Sequence, residues 1–345
     1  MQEFTIPTMQ PLTLSLITTF KCTSACTNCC FGCSPNIQQN KLMSFDEISR
    51  YIDIVCNAFP SISAVIFTGG ECSLLEEDLT KSISKAHSLN KITRIVTNGH
   101  WAKNSGYLIN EWVKAGLNEI NFSTGFEHSK FVSTDTLFYA VEKCFEQESL
   151  QKIVINVEAF NNQNNNTNAL NIKETTWYKI LNTKYKERLI ILSSPWIKFH
   201  TKSLRSNDSD NTLSNDLVMN YDQGCNSILR DIHIDPYGKL LSCCGLSSES
   251  TNYLNNGSII NEDLHSAYES GYYDLFKLWL FTDGPYKILK QLGFSDIPTN
   301  RHICKYCHFI TSNQNIVNQL KKEGIKNARS ILLNYHLKLK RLNYF

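Results

Sequence analysis

Through its first two-thirds the chain alternates short β-rich apolar runs with longer stretches in which apolar residues recur at helical spacing. Residues 12–18, 64–68, 93–97, 119–123, 153–159 and 188–193 are rich in Ile, Val, Leu, Phe and Thr. That is the composition of strands buried in a parallel sheet. Ser44 and Glu47 form a capping box ahead of Ile48, Tyr51, Ile52 and Val55. Helical patterns also cover residues 77–89, 105–115, 134–148 and 175–181. Six βα units predict an α/β fold with a parallel sheet, curved into a partial (β/α)6 TIM-like barrel. In such folds chemistry sits at the C-terminal ends of the strands, so the residues closing each strand are the candidates.

Polar stretches divide the rest. Residues 161–171 are almost all Asn and Gln and read as a solvated loop, whose sequon at Asn165 would go unused in the cytoplasm. Residues 203–216 read as a flexible linker. The expected organisation is a barrel over residues 1–200, a linker over 201–221, a cysteine-rich domain over 222–312 and a basic helix over 313–345. From Asn315 the tail carries seven Lys or Arg against one Glu, which reads as the solvated face of a helix packed on the barrel.

Hydrophobic residues make up 42% of the 345, enough for a sizeable core. A formal net charge of +2 gives no electrostatic footprint for a nucleic acid or a membrane surface. There is no signal-peptide pattern and no apolar run of membrane-spanning length, so a cytoplasmic protein without a membrane partner is expected. In a reducing compartment the 13 cysteines are not a disulfide framework. Five of them, Cys22, Cys26, Cys29, Cys30 and Cys33, crowd the loop after the first strand, and five more lie in the last third.

Cys22-Thr-Ser-Ala-Cys26-Thr-Asn-Cys29 is a CxxxCxxC loop. Three thiolates this close can ligate three irons of a cubane, and the missing fourth leaves one iron open to a cofactor or substrate. Zinc is the rival ligand, with Cys30 or Cys33 as a fourth donor. CxxxCxxC after the first strand of a six-unit βα barrel resembles the signature of the radical SAM superfamily. The resemblance implies a 4Fe–4S cluster on Cys22, Cys26 and Cys29 whose open iron chelates S-adenosylmethionine (SAM). Reductive cleavage would then give a 5′-deoxyadenosyl radical that abstracts hydrogen from a substrate.

The resemblance extends further. Gly69-Gly70-Glu71, closing the second strand, looks like the family's GGE motif, which binds the SAM amino group. Two glycines admit close backbone approach, and a carboxylate pairs with an ammonium. Thr97-Asn98-Gly99 and Ser123-Thr124-Gly125 close the third and fourth strands, where the resemblance puts Thr97, Asn98 and Ser123 against SAM. Two positions depart from the pattern. Asn28 replaces the usual aromatic residue before the third cysteine, and Cys72 replaces the usual Pro after GGE. Cys72 is either a small buried residue or a reactive thiol near SAM, and it is the candidate hydrogen donor of a redox-neutral reaction.

In the last third, Cys225 is followed by twelve residues, Gly238, four residues and Cys243, and later by Cys304-Lys-Tyr-Cys307. Residues 232–234 and 239–241 read as a hairpin around Asp235-Pro-Tyr-Gly238 that brings Cys225 and Cys243 together. Four cysteines in two pairs suit a closed auxiliary 4Fe–4S cluster. Structural zinc is the alternative, with His302 and His308 nearby. The spacing is similar to the C-terminal extension of radical SAM enzymes called SPASM or twitch. No cysteine follows Cys307, which matches the single-cluster twitch form and leaves Cys244 spare. Members of this subgroup mostly modify peptides, so the resemblance implies hydrogen abstraction from a precursor peptide, giving a crosslink, an oxidised residue or an epimer. It also implies an electron donor such as flavodoxin or ferredoxin. The first strand starts near Leu12, so no leader-binding domain is expected ahead of it. The alternatives are a small-molecule radical SAM dehydrogenase and, of another class, a non-enzymatic iron–sulfur or zinc-binding protein.

Overall fold

The computed structural model describes residues 6–27, 29, 31–103, 106–159, 169–185, 187–195, 223–243, 252–260, 263–299 and 302–344. The six expected strands form as β1 (Thr13–Ile17), β2 (Ala64–Thr68), β3 (Ile92–Thr97), β4 (Glu119–Thr124), β5 (Lys152–Ala159) and β6 (Leu189–Pro195). Each pairs in parallel with its sequence neighbour. The crossovers carry α1 (Phe45–Ala58), α2 (Glu77–Ser88), α3 (Leu108–Lys114), α4 (Phe126–Ser129), α5 (Thr134–Phe145), α6 (Ala169–Glu174) and α7 (Thr176–Tyr185). The capping box is present: Ser44 Oγ accepts from Glu47 N at 3.3 Å, and Glu47 Oε2 accepts from Ser44 N at 3.0 Å.

Strand alternation decides which side chains meet the helices. Leu14, Leu16, Val65, Phe67, Ile120, Phe122, Ile153 and Ile155 are buried in one core with Ile48, Ile52 and Val55 of α1 and Leu79 and Ile83 of α2. The intervening positions include Ser15, Arg94, Glu119, Asn121, Ser123 and Asn156, which give the opposite face its polar character. Parallel strands with helices outside and polar groups inside make the wall of a (β/α) barrel.

The sheet continues past β1. There β7 (Ile232–Ile234) pairs in parallel with β1, His233 opposite Ser15, and β8 (Lys239–Leu241) and β9 (Asn255–Ser258) follow antiparallel. The strand order is β6-β5-β4-β3-β2-β1-β7-β8-β9. The cysteine-bearing segment thus grows from the edge of the strand that feeds the first cysteine loop. Its hairpin turns as expected: Asp235 Oδ1 accepts from the N–H groups of Tyr237 and Lys239 at 2.8 and 2.9 Å, and Gly238 supplies a φ of 78°.

Helices α8 (Leu264–Ser270), α9 (Leu275–Thr282), α10 (Gly284–Gln291), α11 (Ile303–Thr311), α12 (Gln314–Lys326) and α13 (Ala328–Arg341) complete the chain. The basic tail is therefore two helices meeting at Asn327, with Ile331, Tyr335 and Leu339 turned inward. Tyr335 Oη donates to Pro7 O at 2.5 Å and Tyr268 Oη to Met9 O at 3.0 Å, tying these helices to the segment that leads into β1. Residues 169–171, at the end of the Asn/Gln stretch, belong to α6 rather than to a loop. The rest of that stretch with Asn165, the 201–221 linker, Asn28, Cys30 and Cys244 lie outside the described residues. Among the described residues no helix is long and apolar enough to cross a membrane.

Candidate active site and a second cysteine cavity

The loop leaving β1 is stitched to the loop leaving β2. Thr18 N donates to Thr68 O at 2.8 Å, Gly70 N to Thr19 O at 2.6 Å, and Glu71 N to Lys21 O at 3.0 Å. The strand pairing is thereby carried into the segment that holds Cys22. A Cβ at Gly69 would fall 2.4 Å from Thr19 O, and one at Gly70 would fall 2.1 Å from Lys21 O. Both obstacles are backbone atoms, which cannot swing aside as a side chain can. The cysteine loop therefore requires both glycines before any ligand is considered.

Cys22 is buried on this loop, and Cys26 and Cys29 are half-buried. Ser24 N at 3.4 Å and Asn98 Nδ2 at 3.7 Å point at Cys22 Sγ, and Cys33 N at 3.4 Å points at Cys29 Sγ. Donors aimed at sulfur favour the thiolate, the form that binds iron. Burial pushes the Cys22 thiol up to about 12, with Glu71 and Cys29 adding to it. Burial also raises Cys26, with Cys29 and Cys22 the next causes. The three sulfurs therefore sense one another. Cys22 and Cys26 would be protonated as free thiols, and a bound metal would hold them deprotonated.

Glu71 is fully buried behind this loop. Its Oε1 accepts from Thr97 Oγ1 at 2.7 Å and Ser73 N at 3.2 Å, and its Oε2 accepts from Asn98 N at 2.8 Å. A carboxylate offers about four acceptor positions, so Oε2 keeps one in reserve. Asn98 in turn reaches the cysteine loop, Nδ2 donating to Thr23 Oγ1 at 3.0 Å and Ser24 Oγ at 3.1 Å. The end of β3 is thus clamped between the Gly-Gly-Glu turn and the cysteine loop. On the other flank, Thr27 N and Oγ1 donate to Glu127 Oε2 at 3.2 and 2.9 Å. Burial works to raise the Glu127 carboxyl, but Lys130 and the Thr27 donors outweigh it and hold the carboxyl below its usual range. Glu127 N donates to Glu158 Oε2, at the end of β5, at 2.9 Å.

Cys225, Cys243, Cys304 and Cys307 border a single cavity, whose remaining wall is Ile228, Leu254, Leu280, Pro285 and Ile303. Cys225 N donates to Leu280 O at 2.8 Å, which fixes it to α9. His302 caps α11, its Nδ1 accepting from Cys304 N at 3.2 Å, and burial holds its pKa down at about 4, so the ring is neutral. His308 Nδ1 meets Ser312 Oγ at 2.7 Å. The wall is therefore thiol and hydrocarbon. Among the described residues, no group of three or more His, Cys, Asp or Glu side chains is set to hold a metal ion. A four-iron cubane is larger than an ion and takes its four thiolates at separate corners, around a shared space of this kind.

No protein-family model and no curated protein sequence matches the chain. Solved structures match it by fold. Hexahistidine-tagged anSMEcpe with bound AdoMet is 14% identical, and the match covers 94% of this chain and 99% of that one at a TM-score of 0.54. Native anSMEcpe with bound AdoMet and the Kp18Cys peptide is 11% identical, covering 90% and 99% at a TM-score of 0.54. With the Cp18Cys peptide in its place the figures are 13%, 90%, 99% and 0.50. The chain shares its fold with anSMEcpe.

Within this shared fold, Cys22, Gly70, Glu71, Thr97 and Asn98 are joined by the hydrogen bonds above at the C-terminal ends of β1, β2 and β3, with Gly69 in the same turn and Cys26 and Cys29 further along the cysteine loop. Ser123 is half-buried on the inward face of β4, opposite Asn156 of β5. Asn121 and Asn156 share that face, and their buried Oδ1 atoms have no partner among the described residues. Cys72 is placed differently. It is fully buried in the main hydrophobic core, Sγ donating to Val96 O at 3.2 Å, and burial raises its pKa well above the usual value. To give up a hydrogen atom it would have to leave that contact. Sequence reasoning does not single out Glu127 or Glu158, although both stand just past or at the C-terminal end of a strand, where barrel function concentrates. Lys277, buried on α9, is the lone charged residue of the apolar run Leu275–Phe281, a signal that sequence reasoning does not use.

Proposed function

We propose that this chain is a radical SAM enzyme that abstracts hydrogen from a peptide. The observation that carries the reading is the convergence of three thiols on a loop locked to a Gly-Gly-Glu turn, at the strand ends of a fold shared with anSMEcpe. Cys22, Cys26 and Cys29 would hold three irons and leave the fourth for SAM. When bound, cluster and SAM together supply a 5′-deoxyadenosyl radical able to take hydrogen from an unactivated carbon. Glu71 offers its remaining acceptor position to the SAM ammonium, and the Gly69–Gly70 backbone and the Thr97–Asn98 turn shape that end of the mouth. Ser123, with the open acceptors of Asn121 and Asn156, would serve the ribose or the substrate. Cys225, Cys243, Cys304 and Cys307 would hold the auxiliary 4Fe–4S cluster, which would supply an electron acceptor. A one-electron donor of the flavodoxin or ferredoxin kind would prime the first cluster.

The peptide substrate is supported by the anSMEcpe structures, which hold a peptide together with AdoMet. The test is to co-express the chain with a short peptide encoded beside it and read the product by mass spectrometry. A mass loss, or deuterium uptake at one residue without a mass loss in ordinary water, is expected. The second outcome would mark an epimer, and Cys72→Ala would then be expected to block it. An unmodified peptide, with turnover of a cyclitol or sugar instead, would replace the peptide reading with a small-molecule dehydrogenase.

A further inference from the structure

Lys277 lies on α9 with 4% of its surface exposed. Its ammonium donates to Asn256 Oδ1 on β9, and the same oxygen accepts from Ser242 Oγ at 2.9 Å. Ser242 immediately precedes Cys243. One turn further along α9, Leu280 lines the four-cysteine cavity and takes the Cys225 N–H. The ammonium therefore stands behind the cavity, linked to the Cys243 side through β8 and β9 and to the Cys225 side through its own helix.

What partners it there is insufficient. Asn256 is neutral. Among the described residues its carboxylate partner is Asp274, 3.9 Å away, with a side chain 38% exposed and screened by water. A buried ammonium without a close anion is costly and tends to lose its proton. Burial does pull the Lys277 pKa down, while Asp274 and Cys243 pull it back up. The missing anion fits the neighbouring cavity. Four thiolates around a four-iron cubane carry net negative charge, and reduction adds one more negative charge. A fixed cation nearby stabilises the reduced form over the oxidised form.

We propose that Lys277 is the built-in countercharge of the auxiliary cluster and holds its reduction potential high enough to accept an electron. This rests on the reading of Cys225, Cys243, Cys304 and Cys307 as an iron–sulfur site, and the test separates the two. Full-length protein lacking the first cluster (Cys22→Ala, Cys26→Ala, Cys29→Ala) is reconstituted anaerobically, and its midpoint potential is read by electron paramagnetic resonance during a redox titration. Lys277→Met should move the potential to a more negative value at unchanged iron content, and Lys277→Arg should leave it near the parent. Equal potentials in the parent and Lys277→Met would overturn the role of Lys277 and leave the cluster standing. A parent protein that binds no iron would overturn the cluster, and the inference with it. If Lys277→Met cannot hold the cluster, Lys277→Arg decides: retained iron shows that the charge is required, and loss in both shows that only packing was disturbed, against the proposal.

Discussion

Replacing Gly70 by Ala adds a single carbon at the point where the β2 loop crosses the cysteine loop. That carbon would lie 2.1 Å from Lys21 O, 2.6 Å from Lys21 C and 2.9 Å from Phe20 O, all backbone atoms. Ordinary contact begins near 3.4 Å, so the two loops must part by roughly 1 Å in an interior that has little slack. Two inter-loop hydrogen bonds, Gly70 N to Thr19 O and Glu71 N to Lys21 O, stretch or break. With about 0.5–1.5 kcal/mol for each bond and about 1–3 kcal/mol for overpacking, the loss is roughly 2–6 kcal/mol. Against a typical total of about 5–15 kcal/mol that is severe but need not unfold the chain. Anaerobic urea unfolding should show a lower midpoint, and iron at Cys22, Cys26 and Cys29 should fall because their loop has lost its backing. Gly293→Ala is the control, since the added carbon meets nothing within 4 Å there, although Gly293, unlike Gly70, has a positive φ of 90°. It should cost about 1–2 kcal/mol from backbone strain alone and leave the iron untouched. A Gly70→Ala protein with the wild-type midpoint and full iron would refute the argument that this crossing needs glycine.

If Glu71 holds the SAM ammonium as proposed, Glu71→Ala removes a charge-assisted contact worth roughly 1.5–3 kcal/mol, and SAM affinity by equilibrium dialysis should drop about ten- to a hundredfold. Unchanged affinity would leave Glu71 as a clamp for Thr97 and Asn98 alone. Cys304→Ala with Cys307→Ala should keep about half the iron and still cleave SAM, yet make no modified substrate. Zinc at that site in anaerobically purified protein would leave it a structural role only. Burial holds the pKa of His233 down at about 4, below its unfolded value of about 6.5, so protons favour the unfolded chain. The stability present above about pH 6.5 should be lost as pH falls, on the order of 2 kcal/mol by pH 5, and His233→Phe should abolish that part of the loss. An identical pH dependence in the variant would show that His233 titrates normally.

The barrel was legible because its signals are local. The run at residues 64–68 is apolar between polar flanks, and Ser44 with Glu47 announces α1, so pattern and structure agree there. The hairpin at residues 232–241 was equally plain, since Asp235 and Gly238 fix its turn by their own chemistry. The cysteine spacings pointed to two groups of ligands; the second four border one cavity, and the first three follow one another on one loop. What the sequence did not disclose is contact between distant segments. Nothing in Ile232-His233-Ile234 tells that it will pair with β1, because an apolar triplet suits any open strand edge. The reach of Glu127 to Thr27 spans 100 positions, and Lys277 gains meaning only from the cavity behind it. Cys72 shows how little proximity in the chain says about facing. Standing next to Glu71 in the chain, it nevertheless turns into the core, because neighbouring residues at a tight turn face different ways.

The central claim is tested most directly by one assay: anaerobically reconstituted protein, dithionite and SAM, with 5′-deoxyadenosine measured by chromatography. The parent protein should yield 5′-deoxyadenosine, and none should form when Cys22, Cys26 or Cys29 is replaced by Ala, since loss of one thiolate in three unmoors the cluster. Turnover that survives any one of the three replacements, or a parent that binds iron and SAM yet yields no 5′-deoxyadenosine, would contradict it.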